Sequence, residues 1–294
     1  MSRVHVGVCV SEILCDQRYL LRLCALVCYT RRPGAASSMV LSRANHLPAH
    51  VTKNCATKAF SSCTVKLYVT TKTKVNTKLV LWEEVVEWCR SLAEKVKSSG
   101  FTPDIVVAIA RGGYVPARLL CDFLDVHDLA SIQVLHWGRA AEITSVAHVK
   151  YPYQLNLSGK RVLLVDDIVD TGDSVIVARD YILSNWKPAE LKIAAMQWIS
   201  PVAKIKPDFY VEEVKEWVWY QYPWTRAEDT TNFLEKIVSE GRKTGKTEWT
   251  FEELVSEFRE IYGIDVGEKY YRLALNRLVE MGLLEKKGER YIAR

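Results

Sequence analysis

The chain of 294 residues contains no apolar stretch as long as a membrane span and no Cys-x-x-Cys pair. The first absence argues against an integral membrane protein. The second, together with the lack of a Cys and His cluster at zinc-finger spacing, argues against a structural zinc site. Six of the eight cysteines precede residue 64, whereas Cys89 and Cys121 lie in apolar runs typical of a core. A disulfide framework is therefore not expected, and the pattern predicts a cytoplasmic protein.

Acidic residues are nearly missing from the first 74 residues, which contain eleven Lys and Arg but only Glu12 and Asp16. The remainder of the chain has 29 basic and 33 acidic residues. The net charge of +5 therefore comes from the first 74 residues, and it does not indicate that residues 75–294 bind nucleic acid. Residues 1–74 are interpreted as a poorly structured extension, either lying outside the fold or serving as an organelle-targeting peptide. Only the segment near Val65–Thr70 has strand character.

Residues 75–225 alternate between helical and strand-like patterns, which predicts an α/β domain with a mostly parallel central sheet. Ligands of such sheets bind at the carboxyl ends of the strands. The predicted elements, in chain order, are a helix around Val85–Val96, a strand Ile105–Ala110, a helix Val115–Leu124, a strand Val162–Val165, a helix Val175–Ser184 and a strand Leu191–Trp198.

The segment Val162–Ser174 carries the most specific chemical pattern of the chain. Four apolar residues precede two carboxylates, Asp166 and Asp167, and the loop Asp170–Ser174 then enters a helix. Backbone N–H groups of such a loop, with a helix N-terminus behind them, form a phosphate site. Adjacent carboxylates above a phosphate suit sugar hydroxyls or a hydrated Mg²⁺.

This segment resembles the motif with which type I phosphoribosyltransferases bind 5-phosphoribosyl-1-diphosphate (PRPP). The resemblance implies that Asp166 and Asp167 bind the ribose hydroxyls, with Mg²⁺ held nearby through water. It also implies that Asp170 is the catalytic acid/base near the purine N7. The residues implied to bind the 5-phosphate are Thr171, Gly172, Asp173 and Ser174, although many relatives have no acid at the position of Asp173.

Two further segments fit the same resemblance. Arg111, Gly112 and Gly113 follow a strand and resemble the family's pyrophosphate loop, which implies a non-proline cis peptide at Ala110–Arg111 or beside it. The aromatic segment Trp217–Trp224 resembles the purine-binding stretch of the 6-oxopurine enzymes. Aligning its Pro-Trp end without gaps makes Trp219 the ring that stacks on the purine and gives Tyr220 a backbone contact to the base edge.

The identity of the purine depends on one position. A lysine that contacts the exocyclic oxygen in 6-oxopurine enzymes is replaced by Ser200, unless a shift in register brings in Lys204 or Lys206. A lysine only donates hydrogen bonds, whereas a serine also accepts them. We therefore expect an archaeal-type adenine phosphoribosyltransferase on a 6-oxopurine scaffold, with a 6-oxopurine enzyme as the alternative. Glu228 or Asp229 could replace a missing acid that helps to hold Mg²⁺.

The resemblance also implies a homodimer acting on PRPP and a purine, and a flexible loop within Gly138–Tyr153. Three amphipathic helical patterns, Phe233–Arg242, Phe251–Tyr262 and Lys269–Met281, predict a separate C-terminal helical domain over 226–294. A wing-like turn follows them, so this domain looks like a winged helix. We expect a packing appendage, because the ten acids within residues 248–294 offset the basic residues there and disfavour nucleic acid. The alternative is a PRPP- or purine-sensing transcription regulator.

Overall fold

A computed structural model describes residues 27–28, 40–41, 74–136 and 147–294. Of the predicted N-terminal extension, only residues 27–28 and 40–41, which pair antiparallel, and residue 74 are described. Its strand-like segment 65–70 lies outside the described residues. Residues 138–146 of the predicted flexible loop also lie outside them. Among the described helices, none is long and apolar enough to cross a membrane.

The secondary structure alternates between strands and helices up to about residue 225 and is mostly helical afterwards. The strands are β1 (Val27–Cys28), β2 (Val40–Leu41), β3 (Thr77–Leu79), β4 (Ile105–Ala110), β5 (Leu129–His136), β6 (Ala147–Val149), β7 (Arg161–Val169), β8 (Glu190–Ile199), β9 (Phe209–Val214), β10 (Trp219–Gln221), β11 (Glu248–Thr250), β12 (Leu284–Lys287) and β13 (Arg290–Ala293). The helices are α1 (Trp82–Ser98), α2 (Tyr114–Leu124), α3 (Asp173–Asn185), α4 (Arg226–Lys243), α5 (Phe251–Tyr262) and α6 (Glu268–Glu280).

The central sheet has the strand order β6-β5-β4-β7-β8-β9. All of its pairs are parallel except β5 with β6, which confirms the predicted α/β class. β4 is buried along its whole length, and β7 is buried from Val162 to Asp167. Such continuous apolar runs are expected where helices cover both faces of a parallel sheet. The sequence predicted a strand that ends before Asp166 and Asp167, but β7 continues through both of them to Val169, because its pairing with β8 extends that far. Since β4 and β7 are neighbours, the Arg-Gly-Gly segment still lies beside the last residues of β7.

The C-terminal segment consists of α4, α5, α6 and a small antiparallel sheet of order β11-β13-β12. Helix α5 begins with a capping box, in which Glu253 N donates to Thr250 Oγ1 at 3.2 Å and Thr250 N donates to Glu253 Oε2 at 2.8 Å. The predicted helices are confirmed, and the wing-like turn is the hairpin β12–β13. The likeness to a winged helix, and the domain boundary at 225/226, remain predictions.

The core of the C-terminal helices extends across that predicted boundary. Buried Phe233, Phe258 and Tyr271 pack in one cluster with Leu79, which precedes α1, and with Trp219 of β10. A short parallel pair, β3 with β10, brings these last two residues together. The C-terminal helices therefore pack directly on the aromatic segment.

Candidate active site

The loop after β4 lies close against β7. The Ala110–Arg111 peptide is cis, which confirms the sequence prediction. A Cβ atom on Gly112 would come within 2.4 Å of Asp167 Oδ2, and one on Gly113 within 2.4 Å of the Val165 carbonyl oxygen. Contacts this short have no room for a side chain, so the two glycines allow the loop to approach the paired aspartates.

Asp166 and Asp167 are buried in the second half of β7, with exposed fractions of 9% and 8%. Burial raises the pKa of both carboxyls, and the charge of Asp167 raises that of Asp166 further. The Trp224 indole N–H donates to Asp167 Oδ2 at 3.2 Å and lowers the pKa of Asp167 in part. Because Asp166 and Asp167 form no ion pair with the residues that the structure describes, the pair suits a ligand that brings hydroxyl donors or positive charge.

The loop after β7 forms the start of α3. Gly172 has a φ of 84°, a conformation that favours glycine, and α3 begins at Asp173. Thr171 Oγ1 donates to Asp173 Oδ2 at 3.0 Å, and Lys204 Nζ donates to Asp173 Oδ1 at 2.7 Å. Ser174 lies in the first turn of the helix. The loop therefore has the helix N-terminus expected of a phosphate site, and Lys204 compensates the charge of Asp173.

A cavity of about 200 Å³ opens beside this loop. Trp219 and Tyr220 line it, as predicted for the purine site, and so does Asp170. Burial raises the pKa of Asp170, and the Trp217 side chain offsets part of this shift. The cavity is lined by Asp167, Ile168, Asp170, Ile199, Trp217, Val218, Trp219, Tyr220, Tyr222, Thr225 and Asp229.

Neither Ser200 nor a lysine is among the residues that line this cavity. Ser200 follows β8 and its N–H donates to the Val214 carbonyl at 3.1 Å, while its neighbour Ile199 forms part of the wall. Lys204 is paired with Asp173, and Lys206 Nζ lies 5.1 Å from the centre of the Trp198 ring. Within the described structure, the register shift that would bring a lysine to the base is therefore not seen.

Arg111 opens onto a second cavity of about 450 Å³. Its Nη2 donates to both carboxylate oxygens of Glu228 in α4, at 2.9 and 2.8 Å. Gly112 and Trp224 also line this cavity. The cavity therefore contains a guanidinium, a group suited to binding an anion.

The C-terminal helices support the ring that the sequence assigned to base stacking. Phe233 of α4 packs edge-on against Trp219 at 5.3 Å between ring centres. On its other side, Phe233 stacks on Tyr262 of α5 at 3.9 Å. Glu228 and Asp229, the two acids considered for Mg²⁺ from the sequence, also come from α4, and each lines one of the two cavities.

Residues 76–225 match the phosphoribosyl transferase domain family. The chain belongs to this family. Its fold is accordingly the type I phosphoribosyltransferase fold, with a mostly parallel central sheet. Within the matched range lie the cis peptide, the paired aspartates, the loop 170–174 and Trp219. Glu228 and Asp229 lie just beyond it.

Several known phosphoribosyltransferases are similar to this one. The xanthine-guanine phosphoribosyltransferase of Cereibacter sphaeroides is 30% identical over 156 residues, which are 50% of this chain and 86% of the relative. That of Nitratidesulfovibrio vulgaris is 27% identical over 145 residues, or 49% and 82% of the two chains. The solved purine phosphoribosyltransferase of Pyrococcus horikoshii has 30% identity and a TM-score of 0.44, covering 51% of this chain and 94% of its own.

Proposed function

We propose that this protein transfers the phosphoribosyl group of PRPP to N9 of a purine base and releases pyrophosphate. The observation that carries the proposal is the convergence of three parts at neighbouring strand ends. They are the Arg111–Gly113 loop with its cis peptide, the buried pair Asp166 and Asp167, and the phosphate-type loop 170–174. The aromatic cavity beside Asp170 supplies a flat, apolar place for a base.

In this proposal, the loop Asp170–Ser174 binds the 5-phosphate through backbone N–H groups and the Thr171 and Ser174 hydroxyls. Asp166 and Asp167 accept hydrogen bonds from the ribose hydroxyls. Positive charge develops on the ribose as its bond to the pyrophosphate breaks, and Arg111 stabilises the charge of the leaving group. N9 forms the bond to C1 as the bond from C1 to pyrophosphate breaks, and Asp170 accepts the proton that the base loses at N7.

The chain's acids fit Mg²⁺ bound largely through water. Within the described residues, no group of three or more His, Cys, Asp and Glu side chains could hold a metal ion by itself. A pair of buried, adjacent carboxylates is nevertheless suited to a hydrated cation that PRPP oxygens also bind. When bound, Mg²⁺ would neutralise charge on the pyrophosphate.

The base is proposed to be a 6-oxopurine. The names of the curated relatives favour this alternative over adenine, which was the first expectation from the sequence. Adenine is kept as the second candidate because no lysine lines the base cavity and the residue aligned with the family's lysine is Ser200. The sequence expectation of an adenine-specific enzyme is not confirmed.

The transcription-regulator alternative has less physical support. The exposed side of α6, the helix that would enter a DNA groove in a winged helix, carries both signs of charge. Its Arg272 is paired with Glu268 of the same helix. A DNA-binding face is usually strongly basic, so the C-terminal helices are proposed to support the base cavity instead.

The test is the rate of nucleotide formation by the whole chain with PRPP and Mg²⁺, offered guanine, xanthine, hypoxanthine and adenine in separate reactions. The proposal predicts turnover with at least one 6-oxopurine. Turnover of adenine alone would shift the proposal to the second candidate. Tight PRPP binding without turnover of any base would contradict the enzyme and favour the regulator. The proposed homodimer would be checked on the same preparation by sedimentation.

A further inference from the structure

The base cavity contains one carboxyl that the proposed reaction does not use. Asp229 lies in the first turn of α4, with an exposed fraction of 7%. It lines the cavity together with Trp219 and Asp170. The other two acids of this cavity, Asp167 and Asp170, belong to the segment proposed to bind PRPP and N7. Asp229 comes from a different element, beyond the residues that match the family.

The buried carboxylate of Asp229 is held by a hydrogen bond and not by a cationic side chain of the described residues. Thr225 Oγ1 donates to Asp229 Oδ2 at 2.6 Å. No ion pair of Asp229 occurs within the part of the chain that the structure describes. Burial raises the pKa of Asp229, whereas the hydrogen bond from Thr225 and the influence of the Trp219 side chain lower it. The first turn of a helix also favours a negative charge.

An acid that serves only the start of a helix has no need of burial. Glu228, the preceding residue, also lies in the first turn, and its side chain is 53% exposed. Asp229 instead bears the desolvation cost of a carboxylate in an aromatic cavity. That cost is offset when a bound ligand supplies N–H donors, and a purine is the ligand proposed for this cavity.

We propose that the Asp229 carboxylate determines base specificity by accepting hydrogen bonds from N1–H and the 2-amino group of guanine. This inference rests on the proposed function, and it narrows the 6-oxopurine class to one base. The part of a purine farthest from the ribose is its six-membered ring. The residues that contact this ring must therefore come from outside the segment that binds PRPP. Asp229 is the acid that lines the cavity from outside that segment.

The chemistry of the four bases separates them at a carboxylate. An ionised carboxylate only accepts hydrogen bonds. Guanine presents two adjacent donors, N1–H and the 2-amino group, which match the two oxygens of one carboxylate. Xanthine presents a carbonyl at C2 that would face the carboxylate, hypoxanthine has N1–H but no 2-amino group, and adenine has an acceptor at N1. The carboxylate would therefore attract the two donors of guanine and repel the acceptors of xanthine and adenine.

The test is the ratio of kcat/KM for guanine to that for xanthine in the wild-type chain and in Asp229→Asn. The amide of asparagine keeps one acceptor and replaces the other with a donor, so it complements N1–H and the C2 carbonyl of xanthine. Since a hydrogen bond to a charged group contributes more than a neutral one, we expect the ratio to fall by about 10- to 100-fold. The rate with xanthine should rise in absolute terms.

Glu240→Gln provides the matched control, because Glu240 is an exposed acid on the same helix, paired with Lys243. This variant should leave the ratio unchanged. An unchanged ratio in Asp229→Asn, or an equal loss with all four bases, would overturn the inference while leaving the proposed function intact. A wild-type chain that is inactive with every base would instead refute the proposed function.

A second measurement needs no variant and covers the case in which Asp229→Asn fails to fold. Guanine and hypoxanthine differ only in the 2-amino group. The wild-type chain should use guanine with a kcat/KM about tenfold or more above that for hypoxanthine. Equal values for the two bases, or a preference for adenine, would overturn the assignment of Asp229.

Discussion

The ion pair between Arg111 and Glu228 leads to a prediction about PRPP binding. The guanidinium donates to both oxygens of the Glu228 carboxylate, at 2.9 and 2.8 Å. If Arg111 binds the pyrophosphate group, it must first leave Glu228. Substituting Glu228→Gln removes the competing charge and keeps the size of the side chain, so the variant should bind PRPP more tightly than the wild type.

The size of this effect follows from the exposure of the pair. The side chains of Arg111 and Glu228 are 70% and 53% exposed, so water and salt screen their attraction. Exposed pairs of this kind contribute up to about 1 kcal/mol, which corresponds to a decrease of about fivefold in the Kd for PRPP. The gain should shrink as ionic strength rises, because the Debye length falls to about 3 Å at 1 M salt.

The assay is isothermal titration of PRPP with Mg²⁺ into wild type, Glu228→Gln and the control Glu240→Gln, at low and high salt. Tighter binding by Glu228→Gln at low salt would support the competition. Weaker binding by this variant would refute it and would support the other role considered for Glu228, as an acid that helps to hold Mg²⁺. A gain that does not depend on salt would also contradict the electrostatic reasoning.

Three other substitutions test separate parts of the structure. Asp170→Asn should retain the Kd for PRPP but lose about 100-fold or more in kcat, since general acid–base groups contribute on that order; wild-type turnover would remove Asp170 from the mechanism. Phe233→Leu should raise the KM for the base more than it changes kcat, because the edge-on support of Trp219 is lost; an unchanged KM in a folded variant would show that this contact does not position the ring. The pair of Asp104 and Arg161 lowers the pKa of Asp104 to about 2, so its stabilisation is present above the ordinary carboxyl pKa and is lost as pH falls from about 4 to about 2. The Tm should therefore fall more steeply for wild type than for Asp104→Asn as the pH is lowered across that range. Parallel plots of Tm against pH for the two proteins would contradict the stabilising role of this pair.

Features that depend on the local sequence alone could be predicted best. The strand Ile105–Ala110 was predicted with its observed bounds because all six residues are apolar and buried. The cis peptide at Ala110–Arg111 followed from the resemblance rather than from any periodicity. The paired aspartates were placed at a strand end because a buried run preceded them, although β7 continues through both of them to Val169.

Features that depend on distant contacts were not predicted. β3 and β10 are short and separated by about 140 residues, so neither has a pattern of its own, yet their pairing brings Trp219 to Leu79. The burial of Asp229 arises in the same way, from the packing of α4 against the aromatic segment. A gap-free alignment placed the family's base-binding lysine at Ser200. In the structure, the neighbouring residue Ile199 lines the cavity instead.

The most direct test of the central claim is the stoichiometry of products formed by the whole chain from PRPP, Mg²⁺ and guanine. Chromatography would quantify the nucleoside monophosphate, and a coupled assay would quantify the pyrophosphate. We expect equal amounts of both products, with neither formed when the base is omitted. Pyrophosphate release without nucleotide, or no consumption of PRPP with any purine, would contradict it.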